Sequence, residues 1–148
     1  MMKIEPVLIF DGDCSDALAF YMKVFNGEQL KIQTYGDNKE HLAKEHKKVT
    51  PKWEDKVMHG SFVFPNGTKF FASDRMENAE FHQGNADGLA LEFEKVEDME
   101  KIYKALSVDG TIVVELHKAF WHAMYAEIVD KFKKRWMLNC QVVSILDD

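Results

Sequence analysis

The chain has 148 residues, a net charge of −6, 46% hydrophobic and 30% charged residues, a composition that suits one globular domain or two small fused modules. No basic stripe interleaves with aromatics and no apolar run approaches the roughly 20 residues of a membrane span, so neither nucleic acid nor membrane is an expected partner. The only two cysteines, Cys14 and Cys140, form no C-x-x-C motif and the N-terminus has no basic segment before a long apolar run, so the expected setting is a reducing cytoplasm, with free thiols and no signal peptide.

Residues 3–10 read as a short apolar strand. Gly12 marks a turn, and Asp13 or Ser15 is placed to cap a helix whose apolar positions Ala17, Leu18, Phe20, Tyr21, Val24 and Phe25 recur at helical spacing. Asn26-Gly27 ends it, with Gly suited to the left-handed position beyond a helix. Residues 28–35 alternate polar and apolar, as a half-buried strand does. Residues 36–56 break the pattern with a turn signal and a charge run, and read as a solvated loop or short helix, a flap over a site. His41 and His46 in this segment are five apart, not the four of a helical metal pair. Residues 57–64 and 69–74 flank Pro65-Asn66-Gly67-Thr68, a hairpin signal.

Residues 75–87 are polar and read as a linker, after which the cycle restarts. Leu89, Leu91 and Phe93 alternate in a strand. Val96–Val108 carries Met99, Ile102, Tyr103 and Leu106 at helical spacing, and Asp109-Gly110 stops it. Thr111–Leu116 is a β-branched strand. Residues 119–129 and 135–143 make a second hairpin around 130–134. The prediction is an α+β fold of two βαβββ modules, residues 1–74 and 88–148, which together form one domain. Each helix covers one face of a curved sheet, and the two sheets make a cupped, half-open mixed barrel around a ligand cavity.

The pieces Phe10-Asp11-Gly12-Asp13-Cys14-x-x-Ala17-Leu18-x-Phe20-Tyr21, Val57-Met58-His59-Gly60, Ser73-Asp74, and Trp121-x-x-x-Tyr125 with Asp130-x-Phe132 and Arg135-Trp136-x-Leu138-Asn139 carry a resemblance. In this order they resemble the PhnB-like branch of the vicinal oxygen chelate superfamily, the glyoxalase/bleomycin-resistance/dioxygenase fold, over nearly the whole chain. The resemblance implies paired modules, often a homodimer, and in the superfamily's enzymes a divalent metal held from the first and last strand of each module. Carried across, the four ligand places fall at or near Pro6, Phe71, Gly88 and Met137, with Glu5 beside Pro6. None supplies the imidazole or carboxylate such a metal needs, so no metal and no other cofactor is expected. The branch is often labelled a 3-demethylubiquinone methyltransferase domain, yet no Gly-rich turn opens a helix here as a nucleotide-type pocket wants. The chain also departs from its branch by carrying His122, Met124, Lys131 and Lys133 where Gly, Arg, Pro and Gly are usual.

Several residues carry candidate chemistry. A two-residue Asn66-Gly67 turn sets Phe62 opposite Phe71 and His59 opposite Asp74. A carboxylate beside an imidazole is the beginning of a general base, and equally an ordinary cross-strand polar pair. In that register Phe71, not His59, lies on the ligand face. In the second hairpin, alternation puts Trp121, Ala123, Tyr125 and Glu127 on one face. A turn pairing Asp130 with Lys134 sets Met137 opposite Glu127 and Asn139 opposite Tyr125. This aromatic wall with a carboxylate and an amide suits a flat or cationic organic ligand, or simply fills the barrel or a dimer seam. Arg135 reads as an anchor for an anion or an exposed neighbour of Lys133 and Lys134. Cys14 lies at a helix start with no His near it in sequence, and the eight Met read as core filler.

The expectation is a PhnB-like binder of a small organic molecule, homodimeric and cytoplasmic, with Phe71, Trp121, Tyr125, Met137 and Asn139 lining the site. The alternatives are a metal-independent lyase or isomerase using His59–Asp74 or Glu127 as base, and a metal-dependent glyoxalase- or dioxygenase-type enzyme.

Overall fold

A computed structural model describes residues 1–141. Its elements run β1 (Val7–Phe10), α1 (Cys14–Phe25), β2 (Glu28–Thr34), α2 (Lys39–Lys44), β3 (Val57–Val63), β4 (Lys69–Asp74), β5 (Leu89–Phe93), α3 (Val96–Ser107), β6 (Thr111–Lys118), β7 (Ala123–Val129) and β8 (Arg135–Gln141). Short 3-10 turns at Gly36–Asn38 and Pro51–Trp53 flank α2. The final strand was expected over 135–143, and its last two positions lie outside the described residues. No helix among the described residues is long and apolar enough to cross a membrane.

The chain divides into two compact units, Met1–His82 and Gln83–Asp148. Each holds a four-stranded mixed sheet, ordered β1-β4-β3-β2 in the first and β5-β8-β7-β6 in the second. The orders coincide when the second βαβββ unit is laid on the first, so the fold is α+β with an internal repeat. The first strand of each unit runs parallel to the last and the other pairs are antiparallel.

The helices sit where their apolar stripes direct them. Cys14, Ala17, Leu18, Tyr21 and Phe25 are the buried face of α1. Tyr21 meets Phe62 and Phe70 edge-on, with centroids 6.4 and 5.9 Å apart. In the second unit Met99 and Leu106 of α3 are fully buried, as are Ala126 and Ile128 of β7 and Trp136 and Leu138 of β8. Each large side chain so buried contributes about 2–3 kcal/mol before chain entropy is charged against it.

Beyond α1 and α3 the residue that takes the left-handed conformation is not the glycine but the one before it, directly after α1 and, past an extended Val108, one position later after α3. Asn26 and Asp109 take the left-handed conformation, at φ 55° and 58°. Gly27 and Gly110 follow because a side chain would strike the hairpin, since a Cβ would lie 2.5 Å from the Val63 carbonyl oxygen and 2.6 Å from that of Val129. These carbonyls occupy equivalent places in the two units, at the ends of β3 and β7.

The segment between β2 and β3 is anchored. Leu42 and Trp53 are buried with Tyr35 in a small cluster to which Val49, Met58 and Met76 add partly buried contacts. The Trp53 indole donates to the Arg75 carbonyl at 3.1 Å and the Arg75 guanidinium stacks over its ring at 4.5 Å.

Candidate functional site

The second sheet has one face under α3 and one turned away from it. Along β7 and β8 burial alternates, and Tyr125, Glu127, Arg135, Met137 and Asn139 are the half-buried positions of the second face. Glu127 pairs with Met137 and Tyr125 with Asn139, the register expected from the Asp130–Lys134 turn. The Asp130 N–H reaches the Lys134 carbonyl at 2.8 Å, and the Asp130 carboxylate, itself buried, accepts from Phe132 N, Lys134 N and the Trp136 indole. This side chain ties the tight turn to the core, and Lys133, at φ 69°, bends the chain where the branch has Gly.

Register continues across all four strands. Glu92 on β5 stands level with Asn139, Asn139 with Tyr125, and Tyr125 with His117 on β6. At strand spacing this row is about 14 Å long. The next row is Ala90, Met137, Glu127 and Val114. Arg135 donates to Glu127 Oε1 at 3.3 Å, and its Nε is buried with no acceptor among the described residues.

Trp121 was expected on the strand with Tyr125. It lies instead in the three-residue loop Phe120-Trp121-His122 between β6 and β7. Ala119 N donates to the Ala123 carbonyl at 2.7 Å, His122 N donates to the Ala119 carbonyl at 3.1 Å, and His122 takes φ 61°. A His in the usual Gly position hid this turn in the sequence. The indole still reaches the row, because Trp121 Nε1 donates to Asn139 Oδ1 at 3.2 Å and its ring sits edge-on to Tyr125 at 5.3 Å. An indole N–H can only donate, so Asn139 turns its oxygen to Trp121 and its Nδ2 to Glu92 Oε2, at 3.1 Å. Burial, with the Glu127 charge behind it, pushes the Tyr125 phenol upward, and Arg135 partly offsets this.

In the first unit the predicted hairpin register is corrected. Phe62 pairs with Phe70 and Ser61 with Phe71. The loop is three residues, Pro65-Asn66-Gly67, with Phe64 N donating to the Thr68 carbonyl and Gly67 at φ 93°. A shift of one position exchanges the faces of a strand. His59 therefore lies on the face of Phe71, the two rings stacking at 5.8 Å with 21° between their planes. Asp74 is on the helix side and 2% exposed. Its Oδ1 accepts from Gly12 N at 2.8 Å and Cys14 N at 3.0 Å, and its Oδ2 from Val57 N at 2.8 Å. Burial pushes its carboxyl above the usual range and these three N–H groups draw it partly back. The His59–Asp74 pair thus does not form. Asp74 does the work expected of Asp13 or Ser15: the N-cap Asp13 makes no side-chain cap bond, and Asp74 satisfies the first N–H of α1 from a neighbouring strand.

The four places carried over for a metal come together in two pairs. Phe71 N donates to the Pro6 carbonyl at 2.9 Å, and a Cβ on Gly88 would lie 2.9 Å from Met137 Cε. A phenyl ring, a thioether, an imide and a bare Cα do not fit the oxygen and imidazole donors such a metal takes. Among the described residues no three His, Cys, Asp or Glu gather around one point.

Comparison with known proteins bears on this arrangement. The family described as 3-demethylubiquinone-9 3-methyltransferase matches residues 2–142. The chain belongs to that family. It is similar to the protein YjdN of Escherichia coli K12, at 26% identity over 93% of this chain and 95% of that one. Among solved structures it is similar to the protein PA1353 of Pseudomonas aeruginosa, at 26% identity, 95% and 98% coverage and a TM-score of 0.80. It is also similar to a Bacillus cereus PhnB protein described as a putative 3-demethylubiquinone-9 3-methyltransferase, at 26% identity, 94% and 99% coverage and a TM-score of 0.75. Glyoxalase/bleomycin-resistance/dioxygenase proteins at 9% and 13% identity share the fold alone, with TM-scores of 0.64 and 0.61.

Glu92 and His117 were not singled out in the sequence. For Glu92 the signal was weak: it is the polar position between Leu91 and Phe93, and the partner that makes it part of a site is 47 residues away. His117 lay just beyond the predicted end of its strand.

Proposed function

We propose that this member of the family is a small-molecule binding protein, and that the ligand lies on the face of β5–β8 turned away from α3. The observation that carries the reading is the Trp121–Asn139 hydrogen bond, which holds an indole 42% exposed against Tyr125. An oriented, solvent-facing aromatic pair beside a polar row has the makings of a binding wall. Met137 supplies the adjacent apolar surface. Phe71, stacked with His59, supplies an equivalent surface on the first sheet. A sequestering role, of the kind known for bleomycin-resistance proteins, needs only such surfaces.

We read the site as metal-free, because the four carried-over places offer unsuitable donors. Glu127 as a base in a lyase or isomerase is the weaker reading, because the Arg135 guanidinium already engages its carboxylate. Methyl transfer is weaker still. The N–H groups of Gly12 and Cys14, which would meet a nucleotide-type cofactor at the start of α1, are taken by Asp74. The same reading expects a cytoplasmic homodimer, in keeping with the buried thiols of Cys14 and Cys140.

The test uses the fluorescence of Trp121, since Trp53 and Trp136 are buried. A set of small aromatic and basic organic compounds is titrated against wild type and Trp121→Phe, with melting temperature followed in parallel. The reading expects compounds that change the emission and raise the melting point of wild type, with both effects lost in the variant. Stabilisation that survives W121F moves the site elsewhere. Elemental analysis and calorimetric titration with divalent cations test the metal-free reading, and stoichiometric metal sinks it. Binding of S-adenosylmethionine restores the methyltransferase reading.

A further inference from the structure

We propose that the Glu92–Asn139–Tyr125–His117 row selects an organic cation, a protonated amine on a flat apolar body, with Glu92 as its counter-charge. This rests on the ligand-binding reading above and names the ligand class for the same face.

The argument is a donor and acceptor account of the row. Its indole N–H and one of the two Asn139 amide N–H groups are spent within the protein. The Trp121 indole N–H is given to Asn139 Oδ1, and Asn139 Nδ2 reaches Glu92 Oε2. His117 Nδ1 stands 2.8 Å from the Glu115 carbonyl, which can only accept, so that nitrogen carries the hydrogen. What the row leaves over is mostly acceptors. Glu92 Oε1 has no partner among the described residues. In the neutral ring, His117 Nε2 keeps its lone pair. The Tyr125 hydroxyl, also without a partner among the described residues, can accept as well as donate.

The electrostatics agree with this account. Glu92 is exposed and its one charge has no counter-ion among the described residues. Trp121, 42% exposed and edge-on to Tyr125, adds an aromatic ring of the kind whose face attracts a cation. Arg135, the positive group on this face, is four residues along β8 from Asn139, about 13 Å away at strand rise, and is turned to Glu127. An anion at the row would meet the Glu92 carboxylate, with only the Tyr125 hydroxyl and the second Asn139 N–H to receive it. An ammonium would meet an open carboxylate oxygen, with its apolar body against the indole.

The experiment uses three probes with one body: 2-phenylethylammonium, 2-phenylethanol and 3-phenylpropanoate. Each is titrated into the full-length protein while the Trp121 indole N–H and the Asn139 side-chain amide are followed by two-dimensional NMR. The expected result is that the ammonium shifts both resonances at the lowest concentration. Glu92→Gln, an exposed and near-isosteric change, weakens the ammonium by about tenfold or more and leaves the alcohol unchanged. Equal or tighter binding of the alcohol or the carboxylate overturns the cation class while leaving a ligand face in place. So does an E92Q effect equal for all three. No shift from any probe at millimolar concentration also overturns it, and the ligand-binding reading is then decided separately by the W121F titration.

Discussion

Asn139 and Glu92 stand level on adjacent parallel strands, and the amide of one donates to the carboxylate of the other at 3.1 Å. The bond orients the Asn139 side chain, and through it the exposed Trp121 indole. Neither residue need touch a ligand body for the pair to set the shape of the wall.

Replacing Asn139 with Asp tests that relationship. An Asp oxygen still accepts from the Trp121 indole, but the donor to Glu92 is gone and two carboxylates stand side by side. Like charges in register are destabilising by up to about 1 kcal/mol. The expected result of urea denaturation is a loss of about that size at pH 7. The loss shrinks when salt is added, which screens repulsion between exposed charges. A loss independent of salt would show that the Glu92 charge does not face position 139.

Asp74 is expected to be among the most sensitive polar positions of the first unit. Asp74→Asn leaves one oxygen for Gly12 and Cys14 but turns an NH2 group toward the Val57 N–H. A buried donor facing a donor costs about 2–3 kcal/mol, and Asp74→Ala, which strands three N–H groups, costs more. Equilibrium unfolding of the two variants checks this, and a change below about 1 kcal/mol in both would remove the role given to Asp74.

Tyr35 makes stability depend on pH at the alkaline end. Its hydroxyl donates to the Asp74 carbonyl at 2.6 Å. Burial, with the Asp74 charge as the next cause, pushes its ionisation above the ordinary value of 10.0. The folded protein therefore keeps this proton where the unfolded chain has lost it. The stability Tyr35 contributes is intact below its ordinary value and is lost as pH rises through that value toward the raised folded one. Melting temperature should fall more steeply above about pH 10 in wild type than in Tyr35→Phe. Parallel alkaline profiles would disprove the coupling.

The loop ends offer a pair of opposite effects. Gly67 has φ 93° and no atom within 4 Å of where a Cβ would stand, so the cost of Gly67→Ala is conformational. About 1–2 kcal/mol is expected. Lys133 sits in the equivalent place of the Asp130 turn at φ 69°. Lys133→Gly is expected to stabilise by about 0.5–1 kcal/mol, read as a higher denaturation midpoint with unchanged slope. A destabilised K133G would mean that the aliphatic stem of Lys133 contributes more than its backbone strain removes.

The amino-acid sequence by itself determined the repeat of strand, helix and strands, the apolar faces of α1 and α3, and the register of β7 on β8. These follow from short-range periodicity and from one turn bounded by Asp130 and Lys134, and neighbours in sequence carry all of that information. The register of β3 on β4 was not legible, because Asn66-Gly67 fits a two-residue loop as well as the end of a three-residue one. The bond from Phe64 N to the Thr68 carbonyl decides between them and moves His59 away from Asp74. Only tertiary structure gave Asp74 its partners at Gly12, Cys14 and Val57. Only the parallel pairing of β5 with β8 brought Glu92 to Asn139. The chain between these parallel strands runs through α3, β6 and β7, so no local turn sets their register. The polar row of the candidate site depends on that long-range pairing.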